Sequence, residues 1–83
     1  MNIQMQDAIL NVIKQTDGFV TTDELIRRVE KKYKEKVANK STFSKHLRLL
    51  RTAGFLRRRK RQDFGGTTFK NQYVHARTDK KTL

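Results

Sequence analysis

The apolar positions of the chain switch from helical to strand spacing about two-thirds of the way along, and the polar residues between them mark the element ends. From Ile3 to Gln15, Met5, Ala8, Ile9, Val12 and Ile13 form one broad stripe at about 100° per residue, which predicts an amphipathic first helix. Ile3 and Leu10 fall on a second ridge beside Asp7 and Lys14; they either form the seam of a homodimer or tuck under a neighbouring element. Thr16-Asp17-Gly18 signals a turn, and Phe19-Val20 one brief strand. Thr21-Thr22-Asp23-Glu24 has the form of a capping box, with Thr21 as the cap and Glu24 reaching back. Leu25, Ile26, Val29 and Tyr33 then give the buried stripe of a second helix, and Arg27, Arg28, Lys31 and Lys32 stay solvated. Lys34 to Lys40 connects it to the next helix, with Val37 plugging the core and Asn39 and Ser41 as alternative N-caps.

The stretch from Ser41 to Arg61 reads as a helix feeding a basic strand. Phe43, Leu47 and Leu50 share one stripe, and Gly54 is placed to end the helix in a left-handed conformation. The opposite face presents Ser41, Ser44, Lys45, Arg48 and Thr52, with Lys40 at the helix start and Arg51 at the edge, and it carries no acid. Such a face fits the DNA major groove, where Arg or Lys reads guanine and hydroxyls reach bases or phosphates. Phe55 to Arg61 and Thr68 to Ala76 are strand candidates separated by Gln62-Asp63-Phe64-Gly65-Gly66-Thr67, a hairpin with glycines at its turn. On the second strand Phe69, Asn71, Tyr73 and His75 alternate with Lys70, Gln72 and Val74, without deciding which set is buried. Residues 77–83 read as a basic flexible tail.

Charge sharpens this picture. Of 83 residues, 20 are Lys or Arg and 8 are Asp or Glu, a net +12. Residues 1–40 hold eight cations against six acids, whereas residues 41–83 hold twelve against two, Asp63 and Asp79. A field this one-sided repels itself and has no folding rationale, so it points to a polyanionic partner, nucleic acid before anionic membrane. With no Cys the fold stands on packing and suits a reducing compartment, cytoplasm or nucleoid. No apolar run approaches a membrane span and Met1-Asn2-Ile3-Gln4 lacks signal-peptide character, so a soluble, non-secreted protein is expected.

The order helix, short strand, helix, helix, basic hairpin resembles the winged helix-turn-helix family over roughly residues 3–76. Thr21-Thr22-Asp23-Glu24-Leu25 looks like the opening of that family's second helix, and Ser41 to Leu50 like its recognition helix. Ala53-Gly54-Phe55-Leu56 resembles the passage into the first wing strand, and Gly65-Gly66 through Tyr73-Val74 the wing tip and return strand. The resemblance implies an α+β domain over residues 1–76, three helices with a short strand and a C-terminal β-hairpin wing. The chain lacks the Trp and the wing prolines of Z-DNA-binding relatives, and its connection from Tyr33 to Ser41 is longer than in the simplest members.

Double-stranded DNA binding is therefore the leading expectation, as a small transcription regulator. The helix would read the groove through Lys40, Ser41, Ser44, Lys45, Arg48, Arg51 and Thr52. Arg57, Arg58, Arg59, Lys60, Arg61 and Lys70 on the wing would clamp the backbone. The alternatives are an origin-binding replication module of a phage or other mobile element, and a ribosome-associated RNA-binding winged helix in which Phe64 or Tyr73 stacks on unpaired bases. An enzyme is not expected, because the acids are dispersed and Ser41, Ser44 and His46 share one helix without a base and its orienting partner. His46 and His75 are too few for a metal site, His46 reads as a core-edge residue, and no glycine-rich phosphate loop precedes a helix, so no cofactor or small-molecule ligand is expected.

Overall fold

A computed structural model describes residues 4–62 and 69–81. Among these, α1 spans Met5–Ile13, β1 Val20–Thr21, α2 Thr22–Tyr33, α3 Lys40–Thr52, β2 Leu56–Gln62, β3 Phe69–His75 and α4 Ala76–Lys81. The class is α+β, with one antiparallel three-stranded sheet ordered β1-β3-β2. The central strand pairs Tyr73 with Val20 on one side and with Arg58 on the other.

Local signals in the sequence set the ends of α2 and α3. Thr21 caps α2, its hydroxyl accepting the Glu24 N–H at 3.2 Å, while the Glu24 carboxylate turns forward to Arg28 at 2.9 Å rather than back as a full capping box would have it. At its other end α2 stops at Lys34, in the left-handed region at φ 56°. The connection to α3 is then tied back by the Val37 N–H, which donates to Glu30 at 2.7 Å. Of the two candidate caps for α3, Asn39 is the one used: its side-chain oxygen accepts from the Ser41 and Thr42 N–H groups at 2.9 and 3.3 Å. Gly54, at φ +92°, takes the chain out of α3 and into β2.

The core lies between the helices and one face of the sheet. Ala8, Ile9, Val12 and Ile13 of α1, Leu25 and Val29 of α2, Phe43, Leu47 and Leu50 of α3, and Val20, Leu56 and Tyr73 of the strands form a single buried cluster. Leu10 packs partly buried against this cluster, and Ile3 lies outside the described residues. Val37 also packs against the core, as its place in the connection suggests.

The chain after β3 departs from expectation. Where a flexible tail is expected, Ala76–Lys81 forms α4, making four helices among the described residues instead of three. Two bonds start it: the Ala76 N–H donates to the Phe55 carbonyl at 3.0 Å, and the Arg77 N–H donates to His75 Nδ1 at 3.2 Å. Strand alternation puts Val74 on the face away from the main core, and it is buried where α4 packs on β2 and β3. The hairpin turn, with Asp63, Phe64, Gly65 and Gly66, lies outside the described residues, as do Thr82 and Leu83.

Candidate nucleic-acid interface

Burial of one stripe fixes the rotation of α3. With Phe43 and Leu47 wholly enclosed and Leu50 nearly so, Ser41, Lys45, Arg48 and Thr52 are exposed and Ser44 is half-buried. The sheet register places a second set of polar groups beside them. Arg58 on β2 stands opposite Tyr73 on β3, and Asn71 is two residues from Tyr73 on the same face. The two sets meet in a groove of about 230 Å³ lined by Ser41, Ser44, Lys45, Arg48, Arg58, Asn71 and Tyr73. Its lining holds three cations, hydroxyls and an amide, and no acid.

A neighbouring cleft shares Ser44 and Asn71 with this groove and adds Thr21, Thr22, Asp23, Lys40 and Lys70. Here Lys40 Nζ lies 2.6 Å from Asp23 Oδ1, with both side chains at least half exposed. The hydrogen bond from Lys40 holds the Asp23 carboxyl below its ordinary value against the opposing effect of burial, and the charges of Lys40, Lys70 and Arg27 act in the same direction as that bond.

The basic run Arg57 to Arg61 does not act as one surface. Alternation sends Arg58 and Lys60 to the α3 side of the sheet and Arg57, Arg59 and Arg61 to the other. Arg59 is engaged there: its guanidinium carbon sits 4.0 Å from the Phe19 ring centroid, and its Nε donates to the Gln72 side-chain oxygen at 2.8 Å. Arg51 is half-buried at the edge of α3, with its Nε enclosed and lacking a partner among the described residues, so it lies outside the groove lining. Thr52 is exposed beyond that lining.

Of the helix residues singled out from sequence, the groove thus collects Ser41, Ser44, Lys45 and Arg48, and the adjoining cleft Lys40. From the hairpin the groove takes Arg58 and the cleft Lys70. Asn71, Tyr73 and Asp23 are added by the fold. The alternation of β3 already put Asn71 and Tyr73 on one face, but nothing in the sequence set that face against α3. Asp23 reads in sequence only as a helix-start acid.

The described residues contain no group of three potential metal-ligating side chains. The imidazoles are committed separately: His46, at the edge of the core as expected, has its Nδ1 3.3 Å from Gln6 Nε2, and His75 caps α4. A larger depression, about 690 Å³, lies between α1 and α2, lined by Val12, Gln15, Arg28, Lys31 and Lys32. Its lining is Val12, Gln15 and three cations of α2, of which Arg28 is paired with Glu24. No described helix is long and apolar enough to cross a membrane. Compared with protein-family models, curated proteins and solved structures, the chain matches none.

Proposed function

We propose that the chain is a winged helix-turn-helix protein that binds double-stranded DNA, with α3 as the recognition helix and the β2–β3 hairpin as the wing. The observation that carries this reading is the groove in which Ser41, Ser44, Lys45 and Arg48 of α3 face Arg58, Asn71 and Tyr73 of the hairpin without an acid between them. A helix of 13 residues, about 20 Å long, matches the major groove in width and length when one side of it is polar. Lys45 and Arg48, exposed at the middle of that side, are assigned to base edges, with Arg48 able to engage guanine through two bonds. Arg58 and Lys60 are assigned to the phosphates beside the groove, and Arg57 and Arg61, on the wing's other face, to the flanking backbone.

The net charge of +12 supports the same partner, since the twelve cations of residues 41–83 attract a polyanion from a distance. Neutralising about five phosphates gives a slope of log K against log salt of about −4 to −5. Sequence-dependent contacts from α3, laid over that unspecific attraction, suit a small transcription regulator.

The test is competition among random duplex DNA, single-stranded DNA and structured RNA at two salt concentrations, followed by selection of bound duplex sequences. Preference for the duplex and enrichment of a short motif are expected. Preference for RNA or single strands overturns the reading.

A further inference from the structure

Within the basic surface formed by α3 and the hairpin, α2 contributes one carboxylate. Asp23 lies in the cleft that continues the groove through Ser44 and Asn71, and its partner there is Lys40 at 2.6 Å. Capping does not explain the pair, because Thr21 caps α2 and Asn39 caps α3. Nor is it a buried tie between helices, since the two side chains remain 50 and 63% exposed, the regime in which an ion pair adds little to fold stability. What the pair does is place an anionic oxygen on a lysine ammonium, with Lys70 close enough for its charge to act on the same carboxylate. A lysine engages a phosphate oxygen in the same way, as a point charge with rotatable donors.

We propose that this cleft is a phosphodiester seat formed by Lys40 with Ser44, Lys70 and Asn71, and that the Asp23 carboxylate occupies it in the free protein as an internal competitor. The inference rests on the duplex-binding reading above and assigns one backbone contact within it. On binding, a phosphate oxygen replaces the carboxylate on Lys40, and Asp23, already half exposed, turns to solvent. A phosphate carries no base information, so the competition weakens all duplexes alike. Because Lys40 meets the same phosphate once the carboxylate is displaced, the competition costs affinity and leaves the salt slope nearly unchanged.

The experiment measures binding of the full chain to a random duplex and to its best selected duplex over a range of salt, for the wild type, Asp23→Asn and Asp7→Asn. Asp7→Asn makes the same charge change on the exposed side of α1 and controls for net charge. Asp23→Asn is expected to bind both duplexes about two- to fivefold more tightly near 0.1 M salt, with a salt slope close to that of the wild type. Asp7→Asn should gain less, and Asp23→Asn should gain nothing in a Lys40→Ala background. Asp23→Ser, which keeps a residue favoured at helix starts, repeats the measurement if the asparagine disturbs α2. If the Asp23 variants bind no more tightly than Asp7→Asn while the wild type prefers duplex, the competitor is overturned and the duplex reading survives. A wild type without duplex preference overturns the duplex reading, and the seat with it.

Discussion

His75 ends β3 with its ring buried, and its Nδ1 accepts the Arg77 backbone N–H, a bond that only the unprotonated nitrogen makes. Burial first, then the charges of Lys14 and Arg77, hold its pKa below the ordinary 6.5. Between the folded value and the unfolded one, the unfolded chain binds the extra proton, so stability rises with pH across that window. The contribution is complete above about 6.5 and is lost as pH falls through the folded value. Urea unfolding followed from pH 8 to 5 should show a falling midpoint on the acid side, and His75→Leu should flatten that limb. Asn39 offers a second test at this scale. Asn39→Ala removes the acceptor of two α3 N–H bonds and should lower stability by about 1 kcal/mol, read as a lower thermal midpoint. Residues of this kind also show where sequence reading stops. Ser41, Ser44, Lys45 and Arg48 were legible as one face because helical periodicity alone projects them together. Arg58, Asn71 and Tyr73 join them only through strand register, and the Asp23–Lys40 pair only through the approach of α2 to α3.

At the scale of elements, β2 turns a sequence feature into two surfaces. Five consecutive cations read as one clamp, yet pleating divides them, with Arg58 in the groove and Arg59 stacked on Phe19 on the other side. The passage from α3 to β2 depends on a single backbone conformation. Gly54 holds φ +92° with open space where a Cβ would lie, so any substitution there suffers from backbone strain and not from crowding. Gly54→Ala should therefore cost about 1 to 3 kcal/mol, visible in chemical denaturation, and should weaken nucleic-acid binding because it disturbs the setting of β2 against α3. The helices and the strand pair were legible to within a few residues, since their apolar periods and the signals of Thr21, Gly18 and Gly54 are local. Helix α4 was not legible. Its six residues carry no apolar stripe, and its first N–H bonds to the Phe55 carbonyl, which the hairpin brings near only once β2 and β3 have paired.

For the molecule as a whole, the proposed DNA interface is divided between α3, which reads, and the hairpin, which holds. The fold contributes to this by enclosing Phe43, Leu47, Leu56 and Tyr73 in one cluster, which fixes the helix and the hairpin relative to each other. Because the helix and hairpin residues line a common groove, their variants should affect the same complex in different ways. The most direct measurement is a pair of binding titrations, Arg48→Ala and Arg58→Ala, each against selected and random duplex DNA across salt. Arg48→Ala should erase most of the preference, about 1 to 3 kcal/mol, and leave random-duplex binding nearly intact. Arg58→Ala should weaken both duplexes by a similar factor and reduce the salt slope by about 0.9. If Arg48→Ala leaves the preference unchanged, or Arg58→Ala has no effect on any duplex, α3 and the hairpin do not act as one DNA interface.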